Sequence, residues 1–144
     1  MEDLFITINN ANSEKYFTNN TPYNFQVCLD NQLDLDDNYE CALVDFTCKT
    51  GKIDSRFQHI FIYFNMVEEQ PVGSGRDSLI RHTIVQGSKL QMEKFKLPYY
   101  MSVKQLKTNI LEVYIKDEDG EEASFLKQTT TCTFHFRKKS WRFN

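Results

Sequence analysis

Hydrophobic and polar residues alternate with a period of two along most of the chain. This alternation is typical of β-strands, because successive side chains of a strand point to opposite faces, whereas a helical face repeats every 3.6 residues. Residues 4–8 and 25–29 show the pattern, and the acidic stretch 34–38 predicts a turn after the second of them. No amphipathic helical pattern exceeds two turns, so the sequence predicts a sheet protein.

Two segments carry apolar side chains at consecutive positions rather than at alternate ones. Residues 39–48 and 60–67 have this composition, which is typical of strands that are buried on both faces. We predict the first as a central strand and the second as a core strand. The second leads to Pro71 and to residues 72–75, whose two glycines predict a mobile loop.

The remaining segments complete the predicted sheets. Residues 104–108 are consistent with one helical turn, and Asp119-Gly120 within 116–120 predicts a hairpin turn. About eight short antiparallel strands without helical crossovers predict an all-β fold, which is a sandwich, a jelly roll or a barrel. The further strands are predicted at residues 79–85, 90–97, 111–115 and 129–137, with a break at 98–100.

The composition fits one folded domain over residues 1–144. The chain is 40% hydrophobic with a mean hydropathy of −0.54, which supplies one core. It has no apolar run of about 20 residues that could span a membrane, and its acidic start differs from the basic start of a secretory signal. A net charge of −3 and a pI near 5.6 are atypical of nucleic-acid-binding proteins. We therefore expect no membrane span, and a location inside the cell that makes the protein.

The sequence contains no motif that predicts catalysis, a cofactor or a metal. The histidines His59, His82 and His135 share no ligand spacing, and we predict them as partly exposed strand residues. Residues 73–75 lack the lysine and the helix of a phosphate-binding loop, and residues 34–39 lack the glycine of a calcium loop. We expect neither an enzyme nor a cofactor.

The four cysteines are predicted as buried free thiols. They lie far apart without a C-x-x-C pair, and scattered cysteines in strand patterns act as small hydrophobic residues. They are Cys28, Cys41, Cys48 and Cys132.

The end of the chain differs from the acidic average. Residues 137–144 concentrate four cations and two aromatic residues. Cations attract phosphates, and aromatic rings stack or fill pockets, whereas the alternative is a frayed, solubilising terminus. Because exposed Trp and Phe side chains are costly, both interpretations stay open. The candidates for assembly or nucleic-acid contact are Arg137, Lys138, Lys139, Trp141, Arg142 and Phe143.

Five short motifs, in order between residues 16 and 138, resemble a family of viral proteins. Residues 16–21 are similar to its Tyr-Phe-Pro-x-Asn-Thr opening, with Thr18 in place of proline. A Tyr-Pro that follows the second strand in the family is absent, since Thr47-Cys48-Lys49 stands there. The other similar segments are 39–46 (Trp-Glu-Val-Ala-Leu in the family), 61–63 with 67–81, 110–125 and 133–137 (Leu-His-Phe-Arg).

The family comprises penton-type minor capsid proteins of Maverick/Polinton elements and of adintovirus-like and virophage-like DNA viruses. The resemblance implies a single jelly-roll β-sandwich that forms pentamers at icosahedral vertices of the virion, assembled inside the host cell. The implied partners are further copies of the chain and the major capsid protein. Packaged DNA is a further candidate partner, which residues 137–144 would contact. Alternatives are a trimeric spike-base module for receptor attachment and a host-domesticated copy with an interaction role.

Overall fold

The computed structural model describes residues 3–36, 38–104 and 106–139, and this part of the chain is all-β. No helix in it is long and apolar enough to span a membrane. Eight of its strands have five residues or more, and β5, β6 and β9 have two or three. The strands are β1 (Leu4–Asn9), β2 (Asn24–Leu35), β3 (Tyr39–Thr50), β4 (Phe57–Phe64), β5 (Gln70–Val72), β6 (Gly75–Asp77), β7 (Leu79–Gln86), β8 (Leu90–Lys94), β9 (Met101–Ser102), β10 (Leu106–Asp117) and β11 (Leu126–Lys138).

The strands form two antiparallel sheets and a small hairpin. The five-stranded sheet has the order β1-β11-β3-β8, and β9 also pairs with β3. The four-stranded sheet has the order β2-β10-β4-β7, and β5 pairs with β6. The neighbours in each sheet are mostly distant in sequence, so both sheets are assembled from the whole chain.

One hydrophobic core lies between the two sheets. The Phe64 ring on β4 stacks on the Phe134 ring on β11, with centroids 3.8 Å apart and planes within 8° of each other. Because β4 and β11 belong to different sheets, this contact joins the two sheets within the core. The largest fully buried side chains are Phe25, Phe46, Phe64, Phe134, Phe136, Ile8, Leu35, Leu43, Ile60, Ile62, Met66 and Ile80.

The strand predictions from hydrophobic patterning are confirmed for most of the chain, including a central strand at 39–48. That strand, β3, lies between β11 and β8. Cys41, Ala42 and Leu43 are consecutive and all buried, as its two-sided apolar composition predicts. The small Ala42 side chain lies opposite His135 in the β3–β11 register.

Two segments that were not predicted as strands are paired with each other in the sheet. The turn predicted at 34–38 begins later, because β2 continues through Leu35, and the helical turn predicted at 104–108 is wrong, because β10 begins at Leu106. Lys107 lies opposite Asp34 in this extension. Antiparallel pairing satisfies the backbone of both segments, whereas one isolated helical turn forms a single hydrogen bond at high entropic cost.

Two connections also differ from their predictions. The mobile loop predicted at 72–75 is the turn of the β5–β6 hairpin, with Gly73 at φ +60°. The predicted turn at 116–120 exists, with Gly120 at φ +79°, but the strands that follow and precede it belong to different sheets. The turn does close a short hairpin, since Lys116 pairs with Glu122, and the chain then continues into the other sheet.

The prediction of buried cysteines is right for three of the four. Cys41, Cys48 and Cys132 are buried, whereas Cys28 is exposed. Val27 points into the core, so its neighbour Cys28 points to the outer face of β2.

Candidate functional site

Arg137, a predicted contact residue, is part of the folded sheet. Its Nε donates to Glu40 Oε2 at 2.7 Å, and its guanidinium carbon lies 3.4 Å from the centre of the Tyr100 ring. Arg137 and Glu40 are opposite each other in the β11–β3 register. The cation is therefore paired with a carboxylate on the protein itself, which weakens its use as a phosphate contact.

The other predicted contact residues are divided between the end of the sheet and the last residues of the chain. Lys138 is exposed at the last position of β11, and Lys139 is half-buried just after it. Trp141, Arg142 and Phe143 lie outside the described residues. Among the described residues of the predicted contact cluster, Lys138 and Lys139 therefore remain the candidates for contact with another molecule.

A chain of polar contacts extends from Arg137 across the outer face of the five-stranded sheet. The Tyr100 hydroxyl lies 2.7 Å from His135 Nδ1, and His135 Nε2 lies 3.0 Å from Asp3 Oδ2. The Phe5 ring covers His135 with centroids 4.3 Å apart. Burial raises the pKa of Tyr100, so its hydroxyl stays protonated. These contacts fasten β1 and the segment before β9 onto β11.

Replacing Arg137 with methionine should lower the free energy of unfolding by about 1–2 kcal/mol. Methionine keeps an apolar stem on Tyr100, so the loss reports mainly the charged hydrogen bond and the unpaired Glu40. We expect a loss at the low end of the range known for hydrogen bonds to charged groups, because both side chains stay partly exposed. Urea denaturation measures it, and Lys138→Ala is the control, with a change below about 0.5 kcal/mol. Equal effects of the two substitutions would contradict a structural role for Arg137.

The outer face of the four-stranded sheet carries a cluster of rings. Ile60, Ile62 and Phe64 of β4 are buried in the core, so the alternate residues of this strand point outward. We call this surface the outer aromatic face. It consists of Phe57, His59, Phe61, Tyr63, His82, Ile84, Tyr114 and Lys116.

Two stacked tyrosines form one half of the outer aromatic face. Tyr63 and Tyr114 lie with ring centroids 4.9 Å apart, and Lys116 Nζ is 5.4 Å from each ring centre. The Tyr114 hydroxyl lies 2.8 and 2.7 Å from the two carboxylate oxygens of Asp77. Burial, and then this hydrogen bond, raise the pKa of Tyr114. The contact holds the β5–β6 hairpin against the sheet.

Two histidines form the other half of the outer aromatic face. His59 Nδ1 lies 2.7 Å from His82 Nε2, and the His82 ring stacks on Phe61 with centroids 4.7 Å apart. Burial, then the nearby His59 and Arg81, lower the pKa of His82 below its ordinary value of 6.5. The His82 ring is therefore neutral at pH 7.

The three histidines lie in strands, as predicted from the sequence. The contact between His59 and His82 was not predicted. Phe61 is opposite His82 and His59 is opposite Ile84, so the two histidines are diagonal neighbours on β4 and β7. This relation depends on strand register, which no local spacing encodes. The prediction of partial exposure is wrong for His135, which is 8% exposed, because Phe5 covers it.

β7 and β8 are the end strands of the two sheets at one edge of the molecule, and each carries exposed apolar side chains on the outer face of its own sheet. The Gln91 side chain accepts a hydrogen bond from the backbone N–H of Gln86 at 3.1 Å and donates one to the backbone carbonyl of Gln86 at 3.2 Å. Arg81 lies between the Phe95 and Tyr99 rings, 4.0 and 4.1 Å from their centres. We call this region the β7–β8 edge. Its exposed apolar residues are Phe57, Ile84, Leu90, Met92, Leu97 and Tyr99.

The described residues contain no group of three or more histidine, cysteine or acidic side chains that could hold a metal ion. The two features that distinguish the described surface of the protein are the outer aromatic face and the β7–β8 edge.

No family model matches the sequence, and no curated protein matches it. The membership in a viral capsid family suggested by the motifs thus stays a prediction.

Proposed function

We propose that the chain is a single jelly roll. Counted in chain order, the eight longer strands form one sheet in the order 1-8-3-6 and another in the order 2-7-4-5. A jelly roll has eight strands in two sheets with this order, because the chain winds as a folded pair of Greek keys. The shared core between the sheets supports the same architecture.

The function that we propose is structural: a penton-type minor capsid protein that forms five-membered rings at the vertices of a virion. The observation that carries this proposal is the strand order, taken together with the five ordered motifs that resemble the penton-type family. Jelly rolls also occur in lectins and cupins, so the strand order alone does not decide function. The proposed partners are four further copies and the major capsid protein.

The β7–β8 edge is the surface that we propose for contacts between copies. A closed ring requires a heterologous interface, in which one side of each subunit meets a different side of the next. Leu90 and Met92 lie on the same face of β8 and are 56% and 76% exposed, and apolar side chains clustered in this way mark interaction surfaces. The opposite side of the subunit, where Phe5 is also exposed, would receive them.

Measuring the mass of the purified chain by light scattering tests this proposal. We expect a pentamer at micromolar concentration or above, and electron micrographs that show five-fold rings. Met92→Lys combined with Leu90→Lys should shift the distribution to monomer, because two cations on the same apolar face of β8 lose solvation in the contact without gaining partners.

Glu118→Lys is the matched control, since Glu118 is exposed in the turn after β10 and is not one of the apolar residues of the β7–β8 edge. It should leave the mass unchanged. A stable trimer would contradict the penton proposal and favour the attachment module, and a monomer at all concentrations, with and without the major capsid protein, would contradict assembly altogether.

A further inference from the structure

The histidine pair on the outer aromatic face has a geometry that the assembly proposal does not use. The ring centroids of His59 and His82 are 5.0 Å apart with planes within 17°, while His59 Nδ1 and His82 Nε2 are only 2.7 Å apart. Because the nitrogens are much closer than the ring centres, the rings meet edge to edge through their nitrogens. One of the two nitrogens therefore carries the proton of the hydrogen bond and the other accepts it, so the two nitrogens face each other at one point of the surface.

We propose that His59 and His82 form a binding site for a divalent transition-metal ion of the Zn²⁺, Cu²⁺ and Ni²⁺ class. Neutral imidazole nitrogens are ligands that these ions favour. The described residues offer no third ligand nearby, so the site supplies two nitrogens and leaves the remaining positions to water or to a donor from another molecule.

A chelate requires both side chains to rotate, because the two nitrogens now point at each other along the line between the ring centres. Two ligands at about 2.0–2.1 Å from a tetrahedral ion lie roughly 3.3 Å apart, which is slightly more than the present 2.7 Å between the nitrogens. The shared hydrogen bond between the rings is then exchanged for two nitrogen–metal bonds, and the proton of that hydrogen bond moves to another ring nitrogen or to solvent.

The surroundings hold the pair in place for binding. His59 and His82 lie on neighbouring strands β4 and β7 of a sheet, which limits the motion of both backbones. The Phe61 ring, with its plane within 12° of the His82 ring, supports His82 from one side. Preorganised ligands lose less conformational entropy on binding than ligands on a loop.

Hard cations are excluded as the natural occupants. Mg²⁺ and Ca²⁺ take oxygen ligands, and the two atoms that face each other are nitrogens. The inference depends on the site alone, so it stands or falls independently of pentamer formation.

Titration of the tag-free full chain with ZnCl₂, NiCl₂ and CuCl₂ by calorimetry tests the site. We expect one ion per chain, with chemical shifts of the His59 and His82 ring protons changing in NMR spectra on addition of Zn²⁺, and no response to MgCl₂. His59→Ala and His82→Ala should each weaken Zn²⁺ binding at least tenfold.

Thr83→Ala is the matched control, because Thr83 lies on the same strand as His82 but pairs with the core residue Ile60 and so points to the other face. It should bind Zn²⁺ like the unchanged chain. Affinity that is unaffected in both histidine variants would overturn the proposal, as would ring shifts confined to His135. If a variant fails to fold, the ring shifts of the unchanged chain decide the outcome.

Discussion

Replacing Phe64 with alanine should lower the free energy of unfolding by about 3–5 kcal/mol. Phe64 is fully buried, and its ring lies 3.8 Å from that of Phe134 on the opposite sheet. Removing it leaves a cavity at the point where the two sheets touch, and a close-packed core closes such a cavity only in part. Urea denaturation followed by circular dichroism measures the loss.

Phe57→Ala is the control for this effect. Phe57 lies on the same strand, but its side chain is 46% exposed, so we expect a loss below about 1 kcal/mol. A double-mutant cycle of Phe64→Ala with Phe134→Ala should give a coupling of about 1 kcal/mol, as expected for a ring pair in contact. Equal losses at positions 57 and 64, or no coupling, would contradict a core that joins the sheets here.

Stability should fall steeply in alkaline solution, by several kcal/mol between pH 9 and pH 11. Burial raises the pKa of Cys48 from 9.0 to about 12, with a smaller contribution from Glu93, and burial also raises the pKa of Cys41 and Cys132. In the unfolded chain these thiols ionise from about pH 9, whereas in the folded protein they stay neutral. The stabilisation is complete below pH 9 and is lost as pH rises towards 12.

Cys48→Ala separates this effect from the general titration of lysines and tyrosines. A difference of one unit between the pKa of the folded and the unfolded state is worth about 1.4 kcal/mol of stability. Between pH 9 and pH 11, the free energy of unfolding of the unchanged chain should therefore fall by about 2 kcal/mol more than that of the variant. Cys28→Ala is the control, because Cys28 is exposed. A pH dependence that is identical in all three proteins would show that the Cys48 thiol does not contribute. Urea denaturation at each pH gives the comparison.

The hydrophobic pattern predicted the strands well because burial is what selects apolar residues at alternate or consecutive positions. β3 is the clearest case, since consecutive apolar residues there predicted a strand buried on both faces. The pattern could not predict that residues 104–108 extend β10, because this extension depends on a distant partner, β2. Nor could the turn at 116–120 reveal that the next strand belongs to the other sheet.

The candidate sites were less predictable, because they depend on register. The β3–β11 register shifts between Thr133 and Phe134, and a shift of one residue moves the following side chains to the other face. This irregularity sets Arg137 opposite Glu40, a residue 97 positions earlier in the chain. Composition alone suggested a free cationic cluster. Similarly, 23 residues separate His59 and His82, and pairing of β4 with β7 brings them together.

The place of β11 between β1 and β3 has a consequence for folding on the ribosome. Until this strand has been synthesised, β1 lacks its partner and one long side of β3 is unpaired, so the five-stranded sheet cannot form. Phe134 and Phe136 complete the core at the same late stage. Until β11 has been synthesised, the nascent chain therefore presents unpaired strand edges and apolar surface, which is the condition in which chains associate wrongly and chaperones are needed.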